Sequence, residues 1–154
     1  MDNSRRNLIS AGSLLAALLA AGSKAADLAQ PPAQWNRAAF EAKTVADALK
    51  ALGIPVAQGG GEVNLTAPEI AEDGAVVPVI VKSRAAGTRE IHLLVDKNPF
   101  SLAASFFFPD GTDAFVSTRI RMNETSSVIV LAVTDRQAYL VRKQIKVTIG
   151  GCGG

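Results

Sequence analysis

The chain has 154 residues, with 16 Lys+Arg against 14 Asp+Glu, 48% hydrophobic residues, and a single His and a single Cys. No Lys/Arg block or interleaved aromatic stripe occurs, so nucleic-acid binding has no electrostatic footprint. One His and one Cys, far apart in sequence, cannot make a four-ligand zinc site, and one Cys excludes a disulfide within the chain.

The first stretch reads as an address. Ser4-Arg5-Arg6-Asn7-Leu8-Ile9 places paired arginines before an uncharged Ala/Leu-rich run from Ser10 to Ser23. Ser23-Lys24-Ala25 then puts small residues at −3 and −1, for cleavage after Ala25 or one residue later. The apolar run is shorter than the ~20 residues that span a bilayer, so an export signal is the better reading than a membrane anchor. The arginine pair points to the twin-arginine route and a periplasmic destination. The expected organisation is a signal at 1–25, a helix plus β-sandwich domain at 26–149 and an arm at 150–154. Cleavage removes Arg5, Arg6, Lys24 and Asp2 and leaves about 129 residues with thirteen charges of each sign, one near-neutral domain with no membrane insertion.

Pro31-Pro32 closes a linker, and from Gln34 to Leu52 the spacing predicts one amphipathic helix. Trp35, Ala39, Ala42, Ala46, Leu49 and Leu52 share one face, while Arg37, Glu41, Lys43, Asp47 and Lys50 lie mostly on the other. Gly53 is a plausible terminator and Pro55 forbids continuation. The mixed charges of the polar face favour docking on the chain's own domain over a membrane surface.

After Gly59-Gly60-Gly61 the pattern becomes short strands between turn signals: Glu62–Thr66, Val76–Lys82, Arg89–Asp96, Leu102–Phe108, Ala114–Met122, Ser127–Val133 and Ala138–Ile149. Seven short strands with no helix between them imply an all-β, immunoglobulin-like antiparallel sandwich and argue against βαβ units. Two strands break the pattern of one wet face. Val128–Val133 is continuously apolar, and Phe106-Phe107-Phe108 turns at least one ring outward. Either the N-terminal helix or a second chain covers these faces. One helix covers only part of one sheet, so a second chain is expected.

Chemistry-bearing residues are few. His92, between Ile91 and Leu93, points away from that apolar pair and reads as a surface or hydrogen-bonded structural residue. Glu69, Glu72 and Asp73 cluster as ordinary turn acids. Gly59-Gly60-Gly61 lacks the context of a phosphate loop, and Asn123-Glu124-Thr125 matches a glycosylation sequon by accident in an export setting that looks bacterial. That leaves Cys152 in Gly150-Gly151-Cys152-Gly153-Gly154, directly after the last strand. At roughly 3.3–3.6 Å per extended residue, three residues carry the thiol about 10 Å beyond that strand. Glycine makes such an arm conformationally free. No neighbouring residue lowers the thiol pKa or serves as its base, so Cys152 is a poor catalyst and a sound attachment point.

Val147-Thr148-Ile149-Gly150-Gly151-Cys152-Gly153-Gly154 resembles the terminal signature of the SoxY family, the substrate carriers of bacterial thiosulfate oxidation. The resemblance extends over Phe40–Lys43, Ala48–Gly53, Ala67–Pro78, Lys97–Pro99 and Ser117–Met122. Thr134-Asp135-Arg136 departs from it, lacking the Asp-Gly expected at that turn. The resemblance implies a sandwich paired with a SoxZ subunit as a heterodimer, with no catalysis and no cofactor of its own. It also implies that Cys152 holds the sulfur substrate covalently on an arm of Gly150, Gly151, Gly153 and Gly154. Its transient partners would be a thiosulfate-conjugating c-type cytochrome, a sulfate-releasing hydrolase and, where present, a sulfane dehydrogenase. Such a SoxZ subunit typically lacks a signal, so export as an assembled pair would explain the twin-arginine route. The competing reading is an exported non-enzymatic sandwich module whose Cys152 forms an intermolecular disulfide. An autonomous thiol enzyme is a third, disfavoured for want of a base.

Overall fold

The computed structural model describes residues 36–54, 58–59 and 61–149. The signal, Pro31-Pro32, Gln34, Trp35, Pro55 and the arm at 150–154 lie outside them. The elements in chain order are α1 (Arg37–Phe40), α2 (Val45–Leu52), β1 (Gln58–Gly59), β2 (Val63–Thr66), β3 (Ile70–Asp73), β4 (Val77–Ser83), β5 (Thr88–Val95), β6 (Leu102–Phe107), β7 (Phe115–Ile120), β8 (Ser126–Thr134) and β9 (Ala138–Ile149). They form an all-β sandwich. One sheet runs β1-β9-β8-β5-β6, with β3 also on β9, and the other runs β2-β4-β7.

All seven expected strands form. Two more, β1 and β3, pair parallel to β9, so the sandwich is not wholly antiparallel. Both run along the β9 edge that β8 leaves free. β3 reads as a turn because its acidic residues hide the pattern: of Ile70-Ala71-Glu72-Asp73 only Ala71 is buried.

Alternation dictates the core. Val79 and Val81 of β4, Val116 and Ile120 of β7, Ile91, Leu93 and Val95 of β5, and Val128 and Val130 of β8 turn inward and fill the space between the sheets. The other parity of β8 and β5 (Ile129, Leu131 and Leu94) faces away from that core, yet each is fully buried. Ala39, Ala42 and Ala48 of the helical segment cover them. Burying such aliphatic side chains is worth roughly 1.5–3 kcal/mol each, which suffices to hold two short helices that would not persist alone. The continuous apolar run of β8 is therefore covered by the chain itself, and no second chain is needed there.

The helical segment is two helices rather than one. The carbonyls of Ala42 and Lys43 accept from the Ser101 backbone N–H (2.9 Å) and hydroxyl (3.1 Å), and so are diverted from helix bonding to a strand connection. Thr44 restarts the helix, its hydroxyl oxygen capping the Asp47 N–H at 3.1 Å, and Gly53 ends it at φ +67°. The break resets the phase. Val45, Ala48, Leu49 and Leu52 face the sheet, and Ala46, expected inside, is exposed. Asn36 ties the pair together, capping the Ala39 N–H through Oδ1 and donating from Nδ2 to the Ala51 carbonyl at 2.9 Å.

Removing part of this layer tests its weight. Leu131→Ala is expected to lower unfolding free energy by about 2–5 kcal/mol in urea titration. The exposed Phe107→Ala should stay within about 0.5 kcal/mol of the parent. Equal losses in both would refute the helix-covered layer as a second core.

Candidate functional site

The thiol lies outside the described residues, but the strand that launches it is fixed up to its end. β9 pairs with β8 from Ala138 to Ile145. Beyond that point its two edges find separate partners. On one edge β3 continues the ladder, Ile70 opposite Lys146, Ala71 opposite Val147 and Asp73 opposite Ile149, and the Lys146 N–H donates to the Glu69 carbonyl at 2.8 Å. The Thr148 hydroxyl donates to the Glu72 carbonyl at 3.1 Å. On the other edge the Thr125 side chain replaces a strand: its oxygen accepts from the Val147 N–H at 3.0 Å and its hydroxyl donates to the Val147 carbonyl at 3.3 Å. The Val147 side chain packs against the inter-sheet core. Every residue from 146 to 148 is thus bonded to a neighbour, with Ile149, opposite Asp73, the one residue between them and the glycines.

Segments distant in sequence meet at this end of the sandwich. Asp73 caps a 3₁₀ turn over Gly74–Val76 through the Ala75 N–H, and the Gly74 carbonyl accepts from the N–H of fully buried Met122 at 2.7 Å. Asn98 bridges two connections, donating to the Arg121 carbonyl at 2.7 Å and accepting from the Asn123 N–H at 3.0 Å. The Lys97 N–H donates to the Ser126 hydroxyl oxygen at 3.0 Å. Ala67–Pro78, Lys97–Pro99 and Ser117–Met122, scattered along the sequence, therefore all contribute to the frame around the end of β9. Thr125 was legible only as part of a sequon. Its actual role depends on a cross-strand partner 22 residues away.

His92 belongs elsewhere. It points away from Ile91 and Leu93, as alternation requires, and is fully buried. Nε2 meets a Glu90 carboxylate oxygen at 2.9 Å and Nδ1 meets the Ser105 hydroxyl at 2.9 Å, while Phe107 sets its ring edge-on at 6.4 Å. With a carboxylate accepting at Nε2, the neutral ring accepts the Ser105 proton at Nδ1, and both nitrogens are satisfied. Its sheet row runs through Leu131 to Leu140, nine residues back from Ile149, or about 30 Å along the strand. Three residues span at most about 10 Å of extended chain, short of that distance. His92 is a structural residue.

Burial lowers the His92 pKa, and the neighbouring Glu90 carboxylate only partly offsets this. Glu69, Glu72 and Asp73 serve the frame through backbone carbonyls and one cap. No group of three or more His, Cys, Asp or Glu suited to a metal occurs among the described residues. At the opposite pole Arg89 pairs with Asp135 and, at 2.8 Å, with Asp110, and its hydrogen bond holds the Asp135 carboxyl below the usual carboxylate range. There the Thr134 hydroxyl oxygen accepts from the Gln137 N–H at 3.1 Å, closing the hairpin without Asp-Gly.

Two measurements check these assignments. Thr125→Val should speed hydrogen exchange of the Val147 amide about fivefold or more, the loss of roughly 1 kcal/mol, with little change at Val130. For His92 the unfolded ring takes up a proton below about pH 6.5 while the folded ring resists it, so stability falls as pH drops through that value. Denaturation at pH 7.5 and 5.5 should show this loss, reduced in His92→Gln and enlarged in Glu90→Gln; an unchanged pH slope in His92→Gln would contradict it.

The family model described as "SoxY: Sulfur oxidation protein SoxY" matches residues 49–152, ending on Cys152. Among solved structures, the sulfur carrier protein SoxY from Chlorobium limicola f thiosulfatophilum is similar, with 32% identity and a TM-score of 0.60 over 66% of this chain and 92% of that one. No curated protein matches. With a family model running through both the framed end of β9 and the cysteine beyond it, the chain belongs to the SoxY family of sulfur oxidation proteins.

Proposed function

We propose that this chain is a covalent carrier in thiosulfate oxidation, holding the sulfur substrate on Cys152 and presenting it to successive enzymes. The observation that carries the reading is the frame around the end of β9. A strand bonded on both edges up to Val147, and on the β3 edge at Thr148, leads within two residues to Gly150-Gly151-Cys152-Gly153-Gly154. A firm base and a run of glycines fit a thiol that must enter narrow sites on other proteins, where those proteins supply its activation.

The chemistry balances without a catalytic group on this chain. A c-type cytochrome would join thiosulfate to the Cys152 thiolate, forming an S–S bond and passing on the two electrons released one at a time through haem. A hydrolase would then use water to release sulfate and two protons, leaving a persulfide on Cys152. A sulfane dehydrogenase, where present, would oxidise that outer sulfur. The chain would work in the periplasm as a heterodimer with a SoxZ-like subunit, exported by the twin-arginine route.

The thiol can be read directly. Trypsin, cutting after Lys146, should release Val147–Gly154 from thiosulfate-grown cells with added sulfur or thiosulfonate mass on Cys152. Cys152→Ser should abolish thiosulfate-dependent electron delivery by the reconstituted system while shifting the melting temperature by less than about 2 °C. Finding only free thiol during turnover would overturn the carrier reading. Finding only a disulfide dimer, with sulfur oxidation intact in Cys152→Ser, would establish the linking-module reading instead.

A further inference from the structure

The two inner sheet faces meet in the core, and the helices lie on the outer face of the β5–β8–β9 sheet. The outer face of the β2-β4-β7 sheet has no layer of described residues over it. By alternation its outward positions on β4 are Pro78, Ile80 and Lys82, and on β7 they are Phe115, Ser117 and Arg119. Lys82 stands opposite Phe115, Ile80 opposite Ser117 and Pro78 opposite Arg119. Phe115 is 51% exposed and Ile80 40%. They are diagonal neighbours within side-chain reach across the strand pair.

A solvated outer face should carry polar residues at these positions, as β2 does with Asn64 and Thr66. The outward positions of β4 and β7 instead have an apolar centre between two cations and no acidic residue, with exposed Glu62 standing just before β2. Lys82 and Arg119 form no ion pair with a described carboxylate. A second copy of this chain would bring like charges together, whereas a partner with an apolar centre and a carboxylate rim is complementary. Three strands about 4.8 Å apart, of four, seven and six residues, present on the order of 300 Å², against about 800 Å² per partner in a stable interface. The face is therefore sized as the centre of an interface, with flanking loops as its rim.

We propose that the β2-β4-β7 face, centred on Phe115 and Ile80 and flanked by Lys82 and Arg119, seats a second, acidic-rimmed sandwich subunit. This rests on the carrier reading, which calls for a SoxZ-like partner, and adds which face receives it. Pro78 and Arg119 lie toward the framed end of β9, while Phe115 and Lys82 lie at the far end of the sheet. A partner centred there leaves the arm free for enzymes.

The test is calorimetric titration of the full-length chain with its purified SoxZ-like subunit at low and high salt. Phe115→Asp and Ile80→Asp should each weaken binding about 30-fold or more. The double substitution Lys82→Glu, Arg119→Glu should weaken it and flatten the salt dependence. Phe107→Asp, equally exposed on the other sheet, should stay within about threefold, as should Cys152→Ser. Thermal melts of each isolated variant establish that it folds, and the charge-reversed pair on solvated positions keeps the test open if an apolar-to-acid variant does not.

A complex that survives the face substitutions, or one that Phe107→Asp disrupts instead, overturns the seat and leaves the carrier reading standing. Self-association lost in Phe115→Asp, with heterodimer affinity unchanged, assigns the face to a second copy and also overturns it. Absence of any wild-type complex overturns both the seat and the partner in the carrier reading. A Cys152 that is never modified within an intact complex overturns the carrier reading alone.

Discussion

A strand ending in a free tail normally frays, because its last backbone groups have no partner on either edge. β9 escapes this by engaging β3 on one side and the Thr125 hydroxyl on the other, over the residues that precede the glycines. Much of the remaining architecture serves that arrangement. β3 can lie there only because the Gly74–Val76 turn brings the chain round into β4, and that turn is held by the Met122 amide. Thr125 is set by a β7–β8 connection that Asn98 pins from the neighbouring loop.

The second organising requirement is that β8 buries both faces. One parity meets the opposite sheet and the other meets the helices, so the chain completes two apolar layers from a single strand. This accounts for the interruption of the helical segment. A straight nineteen-residue helix would leave the Ser101 donors unmatched, whereas the turn at Ala42-Lys43 accepts from both of them and lets α2 lie across the sheet. His92 sits in the same outer layer, and its sealed bonds to Glu90 and Ser105 show a buried ring satisfied by its own strand and the next. Chemistry is thereby separated from structure: among the described residues the buried polar side chains are all hydrogen-bonded within the sandwich, and the attachment chemistry proposed for Cys152 falls to a residue beyond β9.

Surface composition extends this division of labour. The two outer sheet faces differ because one is covered by helices and the other carries exposed aromatic and aliphatic side chains between cations. The poles differ too. One holds the root of the arm, and the other is closed by Arg89 across Asp110 and Asp135. The carrier proposed above, held by one protein and visited by several, would benefit from keeping those contacts on separate surfaces.

Local pattern determined the strands, because alternation and turn residues are written in consecutive positions: all seven expected strands form, and β9 spans Ala138–Ile149 as its alternation indicated. It also determined that His92 faces away from Ile91, and it singled out Cys152 as the attachment point proposed above. Family membership was legible in the same way, from residues that stand together in the chain. What the tertiary structure decided were matters of partnership between distant residues. β3 looks like an acidic turn until β9 lies beside it, and Ala46 looks internal until Ser101 diverts the carbonyls that would have continued the helix. Val128–Val133 looks like an interface until Ala39, Ala42 and Ala48 cover it. Thr125 looks like half of a sequon until Val147 arrives. Each outcome depends on which backbone group finds which partner across 20 or more residues, and periodicity along the chain carries no record of that.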